Sequence, residues 1–389
     1  MKKAYVVGDN LLTSLGFTTD ENIHHLSQGK TGLRMYIDPA MTPVPFCASR
    51  VDTEKLNRVF EKIARQQAYT RFEKMVILSA RDALAKTGID ASDPKTLFIL
   101  STTKGNIDLL DRKDSPFEED RIHLWKTARI LSDFFGNSGE PLVISNACIS
   151  GVLAVITGSE LIQSGRYDNV VITGGDMVTP FVIAGFQSFK AASAEPCRPF
   201  DRKRNGLSLG EGCGTMILSS RPEIGPRWHP VFVRAGVSTN DANHISGPSR
   251  RGDGLTLAIQ KTLQRAGKTA ADVDTISAHG TATLFNDEME SIAISRTGMN
   301  AVPVNSLKGY FGHTLGAAGV IESVVTVRSM VENRLFRTIG FENHGVSEPI
   351  RIVDRLMEKE IHHGLKLAAG FGGCNAAALF SKDEFNGHD

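Results

Sequence analysis

Cysteine is scarce in this sequence and never paired. Five occur in 389 residues, at Cys47, Cys148, Cys197, Cys213 and Cys374, and no two stand in C-x-x-C spacing. An odd number without paired spacing argues against a disulfide framework or zinc knuckle, so reduced thiols in a cytoplasmic chain are expected, with no metal. Net charge is nearly absent too. The 44 basic and 43 acidic side chains leave +1 at pH 7, which denies the chain the bulk positive field of a nucleic-acid binder. No apolar run is long enough to span a membrane. The N-terminal run Ala4–Val7 stops at Gly8 and Asp9, too short for a signal-peptide core.

What remains is an ordinary globular composition, 41% hydrophobic and 22% charged. At this length a folded chain buries about three quarters of its surface. Apolar runs and helical periodicities alternate. Ala4–Gly8, Leu97–Ser101, Leu142–Ser145 and Val170–Thr173 read as strands, with helices at Thr70–Lys86, His123–Phe135 and Ile149–Gln163. A second series follows. Its strands are Thr215–Leu218, Val231–Val237, Val273–Ser277, Val302–Asn305, Leu365–Ala369 and Ala376–Phe380. Its helices are Leu255–Arg265, Asp287–Thr297 and Ala317–Glu332. The alternation implies an α/β fold with covered sheets. Gly267-Lys268-Thr269 ends a helix and lacks the upstream glycine of a phosphate loop, so no nucleotide site is expected there.

Chemistry concentrates where strands give way to helices. Ser145-Asn146-Ala147-Cys148-Ile149-Ser150-Gly151 puts a cysteine at the start of a helix that is apolar on nearly every face. Unpaired N–H groups and the helix dipole favour a thiolate there, so a lowered thiol pKa is expected. The segment alone is equally consistent with an inert core cysteine. Ser277-Ala278-His279-Gly280-Thr281-Ala282-Thr283 puts a histidine at a strand's carboxyl end, where α/β proteins gather ligand chemistry. Lys308 and His313 share a Gly-rich turn, and Glu322 follows in the next helix. Gly370-Phe371-Gly372-Gly373-Cys374-Asn375 reads as a hairpin turn whose N–H groups could face an oxyanion.

Taken together, SNACISG, CRPFDRKRNGLSLGEGCG, SAHGTATLFNDEME, LKGYFGHTLGAAGVIES and GFGGCNA resemble the β-ketoacyl-acyl-carrier-protein synthases of the thiolase-like superfamily, in the branch with a Cys-His-His triad. The resemblance implies a duplicated α/β core in a five-layer αβαβα sandwich, with halves at 1–245 and 246–389. It implies decarboxylative condensation of an acyl thioester with malonyl-acyl-carrier-protein, in fatty-acid, polyketide or aryl-polyene type elongation. Cys148 then matches the nucleophile, and His279 and His313 the pair that stabilises the malonyl-derived enolate. Lys308 and Glu322 match a supporting ion pair, and Asp287 an acidic position beside the His279 loop. The N–H groups of Cys148 and Phe371 match an oxyanion hole, with Phe371 also a gate. Thr281 and Thr283 match hydroxyls that bind the phosphopantetheine arm, which arrives on the carrier protein; no other cofactor is implied. Partners would be an acyl carrier protein and either a second copy or a related synthase subunit.

The pattern departs at Asn146, where threonine is common, and at Lys104 and Asn106, where a Gly-rich run is common. It also departs at Cys374 and at Ala369, which stands in place of a phenylalanine near the substrate. Phe186, Phe189 or Phe311 could fill the space beside Ala369. Lys62, Arg65 and the run Arg202-Lys203-Arg204 are candidates for carrier docking. Two other readings compete. A non-catalytic chain-length-factor-like subunit typically lacks the cysteine. A CoA-dependent thiolase-like enzyme uses one histidine and a second cysteine.

Overall fold

In a computed structural model, which describes residues 2–65, 68–111, 115–225, 230–244 and 247–383, the same succession of elements occurs twice. The first series is β1 (Ala4–Leu12), α1 (Arg71–Leu84), β2 (Thr96–Ser101), α2 (Leu124–Phe134), β3 (Leu142–Ile144), α3 (Ser150–Gln163), β4 (Asn169–Asp176) and β5 (Gly212–Ser219). The second is β6 (Val231–Asn240), α4 (Asp253–Ala266), β7 (Thr275–Ser277), α5 (Leu284–Arg296), β8 (Val304–Asn305), α6 (Ala318–Glu332), β9 (His363–Gly370) and β10 (Cys374–Lys382). The division expected at 245/246 lies outside the described residues; the second series itself begins at Val231.

Strand order runs β8-β7-β9-β10-β6-β1-β5-β4-β2-β3, two five-stranded halves joined where β1 meets β6. Each half repeats one pattern. The first strand pairs antiparallel with the fifth, the fifth antiparallel with the fourth, and the rest are parallel. The duplicated thiolase-like sandwich is therefore present.

Alternation along the strands explains the layers. In β2, Leu97 and Ile99 face a central core, while Phe98 and Leu100 face an outer one. In β10, Ala376, Ala378 and Phe380 share that central core, while Ala377 and Leu379 face the other side. Between the sheets lie α3 and α6, and Ile149, Val152, Val155, Ile162, Val320, Ile321 and Val324 are essentially inaccessible. Burying each such side chain contributes about 1.5–3 kcal/mol. α1 and α2 cover one outer face, α4 and α5 the other.

Local signals account for the edges of elements. Thr70 does not open α1 but caps it, in a reciprocal box with Glu73. β1 continues past Gly8 to Leu12 because its register with β5 shifts at a bulge between Val6 and Gly8.

Glycine decides how closely the central helices meet. A Cβ on Gly151 would lie 2.5 Å from the Val320 amide nitrogen, and one on Gly319 2.3 Å from that of Val152. Only glycine at both positions lets the starts of α3 and α6 touch.

Candidate active site

Three strand-to-helix junctions converge at that contact: β3–α3, β7–α5 and β8–α6. Each contains a non-glycine residue with positive φ, namely Ala147 (42°), Ala282 (64°) and Leu315 (51°). Such backbone costs on the order of 1–3 kcal/mol and persists where surroundings enforce it. The turns aim one reactive side chain each into the same space. Cys148 Sγ lies 3.0 Å from His313 Nε2. The His279 and His313 rings meet edge to face, with centroids 5.1 Å apart. Donor atoms of all three residues lie within 4.8 Å of one another.

The His279 loop is held from both sides. On one, Glu290 accepts from the N–H groups of His279 and Gly280, each at 2.6 Å, and Asp287 accepts from those of Thr281, Ala282 and Phe200. On the other, Lys308 Nζ donates to the His279 carbonyl at 2.9 Å and pairs with Glu322. Lys366 donates to the carbonyls of Ser277 and Ala278 at 3.2 and 3.1 Å, and its Nζ lies 2.6 Å from Glu322 Oε2. The His313 turn is tied down differently. Asp176 accepts from Gly316 N–H at 2.7 Å and from Thr102, Thr103 and Lys104.

Burial dominates the electrostatics. It pushes the Cys148 thiol up to about 12, with Cys374 adding to the rise. This runs against the expected lowering: Cys148 is buried, and desolvation of a thiolate outweighs the helix terminus. Burial also drives His279 and His313 well below the usual imidazole range, with Lys308 and Lys366 contributing. The resting pair is a neutral thiol against a neutral imidazole. The two lysine ammoniums behind the imidazoles oppose a metal cation among these three donors.

A cavity of about 490 Å³ opens onto the site. Cys148, His279, His313, Thr281, Thr283, Ala369 and Phe371 all line it, and the Thr281 and Thr283 hydroxyls are 2.9 Å apart. Phe371 packs against Phe186 and Phe189, with centroids at 5.7 and 5.1 Å. Phe311 instead lies in the central core, away from Ala369. Lys308, Glu322 and Asp287 stand behind the cavity wall. Cys374 does too, with Sγ 3.4 Å from the Phe371 carbonyl.

Among the docking candidates, Arg202 and Lys203 are exposed next to the lining residues Asn205 and Gly206, and Lys62 and Arg65 are exposed away from them. Arg204 is not available: it is buried, donating to the carbonyls of Asp201, Gly345 and Leu284.

Sequence reasoning missed Glu290, Lys366 and Asp176. Glu290 follows Asp287 by one helical turn, and Lys366 is a lone charge in the apolar run Leu365–Ala369; both were available signals. No sequence signal links Asp176 to the turn at Gly316.

Comparison with known proteins places the chain in one family. Residues 1–223 match the family model for the beta-ketoacyl synthase N-terminal domain, and residues 229–342 that for the C-terminal domain. The tetracenomycin polyketide synthase ketoacyl synthase alpha subunit of Streptomyces glaucescens is 31% identical over 358 residues, covering 83% of this chain and 84% of its own length. The 3-oxoacyl-(acyl-carrier-protein) synthase 2 of Vibrio harveyi is 28% identical over 412 residues, covering 98% and 99%. The solved ishigamide ketosynthase/chain length factor superimposes with a TM-score of 0.87 at 24% identity, over 98% of this chain and 100% of that one.

Proposed function

The chain belongs to the beta-ketoacyl synthase family and is a condensing enzyme, and from that premise we propose how its site divides the work. The reaction joins an acyl thioester to a malonyl-carrier thioester, giving a β-ketoacyl-carrier, CO₂ and free carrier. The observation that carries the assignment is Cys148 Sγ at 3.0 Å from His313 Nε2, beside a second buried imidazole.

In the first half-reaction, Cys148 Sγ attacks the acyl carbonyl and its proton passes to His313. With the thiol raised and the imidazole lowered, transfer occurs only as the thioester arrives and its oxygen charges. The Cys148 and Phe371 N–H groups receive that oxyanion. The carrier thiolate leaves with that proton, returned by His313. In the second, the malonyl carbonyl oxygen accepts from the Nε2–H of His279, and from that of His313 once its proton has moved from Nδ1 to Nε2. The bond to the carboxylate breaks, CO₂ departs and its electron pair forms the enolate. The enolate attacks the Cys148 thioester, and Cys148 leaves as a thiolate and takes a proton from solvent.

The phosphopantetheine arm lies along Thr281 and Thr283, and no other cofactor takes part. The partners are a carrier protein, whose mouth-side contact includes Arg202 and Lys203, and a second copy or related subunit in the cytoplasm. The subunit contact is supported by β3, which ends the sheet with Leu142 exposed, and by exposed Leu110 and Phe181.

The test is incubation with a panel of acyl-carriers, read by intact-protein mass, followed by malonyl-carrier with CO₂ collected. An acyl adduct on Cys148 that disappears as β-ketoacyl-carrier and CO₂ form supports the reading. CO₂ without adduct or condensation product overturns it.

A further inference from the structure

The proposed triad and its lysine–glutamate pair leave the buried charge of Lys366 without a task. Lys366 sits mid-strand in β9 with no exposed surface. A bare ammonium in a core costs several kcal/mol unless it is paired and hydrogen-bonded, and this one has both. Its partners are the Ser277 and Ala278 carbonyls, at 3.2 and 3.1 Å, and Glu322 Oε2 at 2.6 Å. Lys308 takes the next carbonyl, that of His279, and the other oxygen of Glu322. Three successive carbonyls leading into the His279 turn are thus gripped by two ammoniums bridged by one carboxylate.

We propose that Lys366 is a positioning residue for decarboxylation, which fixes the end of β7 that presents His279 and places a second positive charge behind the two imidazoles. The proposal rests on the reading of His279 and His313 as the enolate-stabilising pair. Groups facing Lys366 are Glu322 from α6, Lys308 from the turn after β8, Glu290 from α5, and His279 and His313 themselves. The lysine charges disfavour imidazolium, and neutrality matters for this step. An imidazolium would pair with the malonyl carboxylate and stabilise the ground state, whereas a neutral N–H strengthens its bond only as the enolate forms.

Three variants test this. Lys366→Met removes the charge at similar length, Lys366→Gln removes it but keeps an N–H donor, and Lys366→Arg keeps it. At pH 8 the Met and Gln variants should lose roughly 10- to 100-fold in malonyl decarboxylation, the scale of a misplaced reacting group. Acylation of Cys148 at that pH should change little. In both variants the acidic limb of the decarboxylation profile should move up by about one pH unit, since loss of a nearby like charge lets imidazole protonate more readily. In Lys366→Arg the limb should stay in place. If Met fails to fold, the Gln and Arg pair decides. An acidic limb that stays put on charge removal, or equal losses in both half-reactions, overturns the role of Lys366. The underlying reading fails separately, if His279→Ala decarboxylates malonyl-carrier like the parent.

Discussion

The two halves of the molecule build the same junctions and use them differently. In the first half, β2 runs into Thr102–Lys104, where the Thr102 and Thr103 hydroxyls and the Thr103 and Lys104 N–H groups converge on the carboxylate of Asp176. In the second, the counterpart strand β7 runs into His279 and Gly280, whose N–H groups converge on Glu290. One junction is fully satisfied by its neighbours and structural. The other is satisfied along its backbone but leaves an imidazole aimed into a cavity. The same holds for β3–α3 and β8–α6: one yields the thiol, the other the imidazole 3.0 Å away. A duplicated fold places equivalent junctions face to face about the contact of α3 with α6, so neither half carries the site alone.

The largest expected effect comes from breaking that contact. Gly319→Ala would drive a Cβ into the Val152 backbone, which has no flexible atom to yield, and should cost about 3 kcal/mol or more in urea denaturation. Gly165→Ala is the comparison. Gly165 also has positive φ, at 73°, but open space around its Cα, so the cost should be only about 1 kcal/mol. Similar losses for the two would mean the helix contact is not special.

Next in size, His279→Ala should lower malonyl decarboxylation by about 10²–10³-fold, as deletion of an oxyanion donor does, and acylation of Cys148 far less. Equal losses in separate half-reaction assays would erase the division between junctions.

A third effect concerns the buried carboxyls that anchor the His279 loop. Burial raises Glu290 to about 7 and Asp287 to about 6. A carboxyl raised in the folded state favours folding when protonated, so its contribution is full below the unfolded value and is lost as pH rises through the folded one. Their contribution to the melting temperature should therefore fall between about pH 4.5 and 7, against the rise contributed by buried neutral His279 and His313, and Glu290→Gln should make the slope in that window more positive. An unchanged slope in the variant would remove Glu290 as a source of it.

The smallest effect lies at the rim. Arg202→Glu with Lys203→Glu should raise KM for a carrier-bound substrate a few-fold at low salt and leave a small pantetheine thioester unaffected, because exposed charges steer encounter and are screened by salt. The same response for both substrates would exclude docking there.

Much of this is legible in the sequence. The main strands and helices were readable because burial on one or both faces writes period-2 or continuous apolar runs. Cys148, His279 and His313 stand out because each lies where a strand gives way to a turn. What was illegible depends on distance in sequence. The three-stranded sheet of Arg34–Tyr36, Phe46–Ser49 and Leu209–Gly210 joins segments far apart along the chain, in strands of two to four residues. Arg204 looked like a surface charge until its three carbonyl partners were seen. A helix terminus favours an acidic Cys148 thiol, yet burial of that thiol is a tertiary property and has the larger effect.

The most direct test of the account is Cys148→Ala, assayed for both half-reactions. The substitution removes the thiol but keeps the backbone N–H and both imidazoles. The account predicts no acyl adduct by intact-protein mass, no condensation product, and continued release of CO₂ from malonyl-carrier. An acyl adduct on the variant would contradict the nucleophile assignment, and loss of CO₂ release in a folded variant would contradict the assignment of decarboxylation to the histidine pair.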